Sequence, residues 1–104
     1  MKNEIDFPAV DEIVEACRAF VAGGGEIISR GFGDGVTCGC PMTVAGLYPA
    51  KSHALRGVMS FARGFDRAEP PSQMFPTLAL RYRTGTEVRR RLEEEGLMGN
   101  GANQ

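Results

Sequence analysis

The stretch GFGDGVTCGCPMT, residues 31–43, brings Gly31, Gly33, Gly35, Cys38 and Cys40 close together. Glycines at this density can cradle a phosphate, and a cysteine pair can bind a metal or exchange disulfides. The phosphate reading is weak. G-x-G-x-G lacks the Lys-Ser/Thr of a P-loop, no strand clearly precedes it, and the chain lacks the βαβ units of a dinucleotide fold. For zinc, Cys38 and Cys40 would need His53 and a fourth ligand such as Cys17 or Asp34. Structural zinc sites present four N/S ligands, commonly in paired C-x₂₋₄-C or H-x₃₋₅-H clusters. Here one pair has the wrong spacing, and His53 is the only histidine. A redox role needs a thiolate of lowered pKa, which Cys40 at a helix N-terminus can have. Cys-Gly-Cys is nonetheless a short, strained loop for a disulfide. The expectation is structural cysteines, no metal and no cofactor.

Catalysis fares no better. Cys40 and His53, with Asp66 to orient the imidazole, make a nucleophile–base pair on paper, but nothing local supports it. Glu93, Glu94 and Glu95 sit together at a helix end, where a solvated face explains them. The chain is therefore not expected to be an enzyme.

The basic residues are more informative. Net charge is −1, yet residues 51–91 carry nine basic residues against three acids, while residues 1–35 carry three against seven. Eight of those nine are arginines, which favours bidentate recognition of carboxylate or phosphate over a diffuse cationic cloud. Arg56 and Arg63 lie seven apart on one predicted helix, hence on one side, with Arg67 a turn further on. Arg81, Arg83, Arg89 and Arg90 decorate the next helix. These seven arginines are the predicted partner-binding set, and Tyr48, Phe61, Phe75 and Tyr82 can stack beside them. A total charge near zero argues against nucleic acid, since DNA-binding modules of this size are usually strongly basic.

The elements that must position these residues read as helices. Val10, Ile13, Val14, Cys17, Phe20 and Val21 form a continuous apolar stripe over residues 7–22, with Asp6 as N-cap, Pro8 in the first turn and Gly23 to Gly25 as the stop. Residues 26–40 break the pattern, and EII fits either a last turn or a short strand. A second helix is predicted from Cys40 or Pro41 to Pro49. Ser52 caps a third, with Leu55, Val58, Met59, Ala62 and Phe65 as its stripe. Residues 68–76 read as a linker loop. The fourth helix covers residues 77–95, with Leu78, Tyr82, Gly85, Val88 and Leu92 as its seam. Its three terminal glutamates oppose the dipole and predict a frayed last turn. Gly57, Gly64 and Gly85 are expected where helices press together. The fold class is all-α, a bundle of about four helices with a glycine-rich loop between helices one and two. One domain spans 1–96, and a disordered tail spans 97–104.

Composition agrees with a soluble globular chain: 104 residues, 42% hydrophobic and 24% charged, with no apolar run long enough for a bilayer. Its start, MKNEIDFPAV, has no apolar signal core, and three cysteines are too few for a disulfide scaffold; both predict a cytoplasmic protein.

Three segments occur in order: Cys40-Pro41-Met42-Thr43-Val44-Ala45, Phe61-Ala62-Arg63-Gly64-Phe65-Asp66 and Tyr82-Arg83-Thr84-Gly85-Thr86-Glu87-Val88-Arg89. The trio resembles a set of short, uncharacterised bacterial and phage-associated proteins with Cys-Cys-Pro-Leu-Thr-Ala, Phe-x-x-Gly-Phe-Asp and Tyr-x-x-Gly-x-x-Val-Arg segments. Here Gly39 separates the cysteines and Met42 replaces leucine. The resemblance covers about residues 38–91 and implies a compact helical domain with glycines at helix contacts; it implies no activity. The resulting expectation is a non-enzymatic protein-binding module of the inhibitor or adaptor kind carried by phages and mobile elements, a class that includes anti-CRISPR proteins. Its partner would be an acidic surface of a host protein or complex, with no membrane, and a homodimer is left open. The alternatives are nucleic-acid binding through the arginine face and a zinc- or thiol-dependent activity at Cys38 and Cys40.

Overall fold

In the computed structural model, which describes residues 9–48, 52–70 and 75–98 with backbone alone at 52–54, four helices carry most of the described residues. The first, α1, spans Val10–Ala22 and buries Ile13, Val14 and Cys17. Ala9 is its N-cap; the Glu12 carboxylate accepts the Ala9 N–H at 3.1 Å. Asp6 and Pro8, expected in this role, lie outside the described residues. Two short strands follow, β1 at Glu26–Ile27 and β2 at Cys38–Gly39, paired in parallel with Glu26 opposite Cys38. Two-residue strands are too short to show alternation, so only their non-local pairing reveals them.

The expected second helix is a single turn, α2 at Pro41–Val44, with Pro41 at its start. It stops because Gly46, at φ +83°, turns the chain and Leu47 N–H reaches back to the Met42 carbonyl. The proposed stop at Pro49 lies outside the described residues. Then come α3 at Ser52–Phe65 and α4 at Pro76–Glu94. No helix among the described residues is long and apolar enough to cross a membrane.

The α3 and α4 helices pack directly against each other. A Cβ at Gly57 would meet Arg81, one at Gly85 would meet Phe61 and Phe65, and Arg89 donates to the Phe65 carbonyl. Their closest approach is at Gly64 and Gly85. A Cβ on Gly64 would collide with the Tyr82 carbonyl, and one on Gly85 with the Phe61 carbonyl. Gly57 differs from both, because only the Arg81 side chain covers it, at 3.7 Å.

That approach selects which part of the α3 stripe is buried. Val58, Phe61 and Phe65 join Ile13, Val14, Cys17, Ile27, Cys40, Met42, Val88 and Leu92 in the core. Leu55 and Met59, expected in the stripe, are exposed. The apolar stripe is wider than the α4 contact can cover.

The fraying expected at the end of α4 is overturned. The last turn of α4 is tied down: Glu93 pairs with Arg89 and Arg67, Glu94 with Arg90, and Glu95 with Arg18 of α1. These partners offset the unfavourable placement of acids at the negative end of the dipole. Leu97 and Met98, expected to begin a disordered tail, pack against the core, and Met98 bridges to Ile27. Gly96 at φ +70° makes the turn that brings them back.

Candidate functional site

A cavity of about 430 Å³ opens where the end of α3 meets the loop before β2. Phe32, Met59, Phe61, Ala62 and Phe65 contribute its apolar wall, and Arg30, Arg63, Arg67 and Asp66 its polar side. The surplus width of the α3 stripe thus has a use: Met59 and Ala62, left uncovered by α4, become cavity wall. Phe32 is held flat against Tyr48, with ring centroids 3.8 Å apart and planes 6° from parallel.

The backbone under the rim is unusual. Arg30 and Arg67, at φ +64° and +62°, are the non-glycine residues with positive φ among those described. Both line this cavity. Arg67 occupies the position after α3 that glycine normally takes, with Arg67 N–H on the Gly64 carbonyl and Ala68 N–H on the Arg63 carbonyl. Arg30 is held by its own N–H, which donates to Asp66 Oδ1 at 2.9 Å. The left-handed conformation costs an L-residue roughly 1–2 kcal/mol.

The guanidinium groups differ in freedom. Arg63 donates to the Glu69 carbonyl at 2.6 Å, and Arg67 pairs with Glu93. Arg30 has no side-chain partner among the described residues. Glu93 also receives a bond of 2.8 Å from Arg89 Nε. That bond and Arg67 hold the Glu93 carboxyl below its ordinary value, with the Arg89 hydrogen bond the larger cause. Glu93 therefore stays charged and keeps Arg67 in place.

Arg89 is not a surface residue. It is 7% exposed, donates to the Phe65 carbonyl at 2.8 Å, and lies over the Phe65 ring at 5.3 Å. It fastens α3 to α4, unlike the exposed arginines it was expected to join in a partner-binding set. Its position on the seam after Gly85 was available from the helical period. Arg90 is exposed but bracketed by Glu87 and Glu94. Arg81 lies along α3 over Gly57. Arg56 and Arg83 are exposed without an ion pair among the described residues, but neither lines the cavity. Of the seven predicted arginines the structure brings Arg63 and Arg67 together. It adds Arg30, which no sequence signal marked.

The cysteine region is built for structure. Asp34 Oδ1 accepts the N–H groups of Val36, Thr37 and Cys38, and Oδ2 accepts the Thr37 hydroxyl, so its carboxyl is held far below the usual range. Gly33 and Gly35, at φ +74° and +75°, let the loop fold over this carboxylate. The three cysteines are free thiols. Burial, with a smaller contribution from neighbouring Cys40, pushes the Cys17 thiol up to about 12. Burial also raises Cys40, although Thr43 and the Met42 N–H pull the other way. Cys40 touches the cavity but is protonated near neutral pH, so the lowered pKa that a helix N-terminus can give a thiol is not realised here. The four-residue α2 is too short to oppose that burial. Among the described residues no group of three His, Cys, Asp or Glu side chains can hold a metal ion. The His53 side chain lies outside them.

No family model, curated protein or solved structure matches the chain.

Proposed function

We propose that the protein is a small, non-enzymatic, cytoplasmic binding module of the inhibitor or adaptor kind, and that it holds an acidic segment of a partner protein at the Arg30–Arg63–Arg67 rim. The observation that carries this reading is the convergence of two arginines in left-handed backbone on one apolar cavity. Glycine would satisfy both turns without strain, and strained residues of this sort cluster at ligand clamps. An arginine rim over an apolar wall suits an acidic side chain next to a large hydrophobic one.

The same geometry weighs against nucleic acid. Arg67, Arg89, Arg90 and Arg91 are each paired with a carboxylate, which removes half of the arginines of residues 51–91 from any phosphate-reading surface.

The test is a selection of random peptides on the immobilised protein, followed by fluorescence anisotropy with the winners. The expected motif places Asp or Glu beside Phe, Leu or Met, and binding should fall at least tenfold in the Arg30→Glu, Arg63→Glu double variant, since hydrogen bonds to charged groups contribute about 1.5–3 kcal/mol. A selection without acidic enrichment, or equal affinity in an Arg83→Glu, Arg90→Glu control and the double variant, overturns the reading. A steeply salt-dependent gel shift with mixed nucleic acids would favour the alternative.

A further inference from the structure

We propose that the cavity is a receptor for a carboxylate carried on an apolar body, the chemistry of a polypeptide's free C-terminal end with a large hydrophobic last residue, or of a small aryl or branched aliphatic acid. The inference rests on the functional reading above for the location of the site and goes beyond it in naming what enters.

Three features select this ligand. First, the volume of about 430 Å³ falls in the range of small-ligand sites, and Phe32, Met59, Phe61 and Phe65 give it an apolar interior. A bare anion leaves that interior unfilled. Second, the rim is set in advance. Arg63 is tethered to the Glu69 carbonyl, Arg67 to Glu93, and the Arg30 backbone to Asp66, so little freedom of the Arg63 and Arg67 side chains or of the Arg30 backbone remains to be lost on binding. Third, the rim's positive charge is tempered. Asp66 stands among the three arginines, and Glu93 faces Arg67 from behind. The cost of desolvating an anion grows with the square of its charge, while attraction to a fixed rim grows only linearly. A modest net positive rim therefore favours a monoanionic carboxylate over a phosphate dianion. The planar guanidinium fork also matches a carboxylate edge to edge.

The Cys40 thiol at the cavity wall takes no part in this chemistry. It is buried and protonated, and it contributes an apolar surface.

The experiment is an amide-resolved NMR titration of the full chain with N-acetyl-L-phenylalanine. Three controls go beside it: N-acetyl-L-phenylalaninamide, which lacks the charge; acetate, which lacks the apolar body; and inorganic phosphate. The expected result is saturable shifts at the amides of Arg30, Gly31, Phe32, Arg67 and Ala68 with the acid, and none of comparable size with the controls. The Arg63→Gln variant should bind about tenfold more weakly, and Arg83→Gln as the parent does. A short peptide ending in phenylalanine with a free carboxylate, compared with its C-terminal amide, then identifies the source. Much tighter binding of the free peptide than of N-acetyl-L-phenylalanine points to a chain end, and equal binding to a small acid. The proposal is overturned if the amide binds as well as the acid, if phosphate shifts the same residues equally, or if the acid shifts residues elsewhere. Binding of peptides with an internal Glu-Phe pair, without binding of the free acid, also overturns it and leaves the protein-binding reading standing.

Discussion

Replacing Gly85 by alanine tests the packing on which the cavity depends, because α4 holds Phe61 and Phe65 in their places on the wall. A Cβ at Gly85 would overlap the Phe61 carbonyl and stand 2.9 Å from the Phe65 nitrogen. Both are main-chain atoms of α3, so no rotamer change can make room and the helices must separate. Overpacking of this kind costs typically about 1–3 kcal/mol, and backbone against backbone belongs at the upper end. Alanine recovers about 1 kcal/mol in helix propensity. The net expectation is a loss of about 2 kcal/mol, or a melting point lower by roughly 8–16 °C for a domain of this size. Gly57→Ala is the matched control. Its Cβ would meet only the Arg81 side chain at ordinary contact distance, so propensity decides and the variant should gain up to about 1 kcal/mol. Thermal and urea unfolding followed by circular dichroism measure both. If Gly85→Ala melts at or above the parent, or if the two variants move together, the close backbone approach of α3 and α4 is wrong.

Arg89→Ala should destabilise by about 3 kcal/mol, because a buried charge network loses its central member, whereas Arg90→Ala at the surface should cost less than about 1 kcal/mol; urea midpoints compare them directly. Alkylation with iodoacetamide under native conditions should modify half-buried Cys38 first, while buried Cys40 and Cys17 react only after unfolding, as read by intact mass. Acid should weaken the fold in a defined window. The carboxyls of Glu87, Glu93, Glu95 and Asp34 are all held low by hydrogen bonds and arginines, so their contribution is complete above the ordinary glutamate value of 4.5 and is lost as pH falls below it. Melting temperature should be flat from about pH 8 to about pH 5 and fall thereafter, less steeply in Glu93→Gln.

The sequence was most legible where one helix face meets one core. The α1 stripe at Ile13, Val14 and Cys17 and the α4 seam at Gly85, Val88 and Leu92 follow directly from a period of 3.6. The α3 stripe was read too widely. Periodicity shows that Leu55 and Met59 share a face with Val58, but the glycine contact with α4 decides which edge of that face is covered. The same seam passes through Arg89, whose burial was obscured by its place in a run of three arginines. The fraying expected of the last turn of α4 followed from local dipole logic, and Arg18, 77 positions from Glu95 in the chain, overrides it. The cavity was the least legible part. Arg30 reaches it through a hydrogen bond from its own N–H to Asp66, 36 positions away, a tertiary contact that no local pattern signals.

Under the proposed function, Arg30 keeps a strained backbone because its guanidinium binds the ligand. Arg30→Gly separates fold from function in one variant. Glycine relieves roughly 1–2 kcal/mol of left-handed strain, while the freer unfolded chain takes back about 0.4–1 kcal/mol. The most direct measurement is therefore the melting temperature of Arg30→Gly beside its affinity for an acidic, apolar peptide selected on the parent protein. The expected result is a protein at least as stable as the parent that binds about tenfold more weakly. Unchanged affinity, or a destabilised fold, would contradict it.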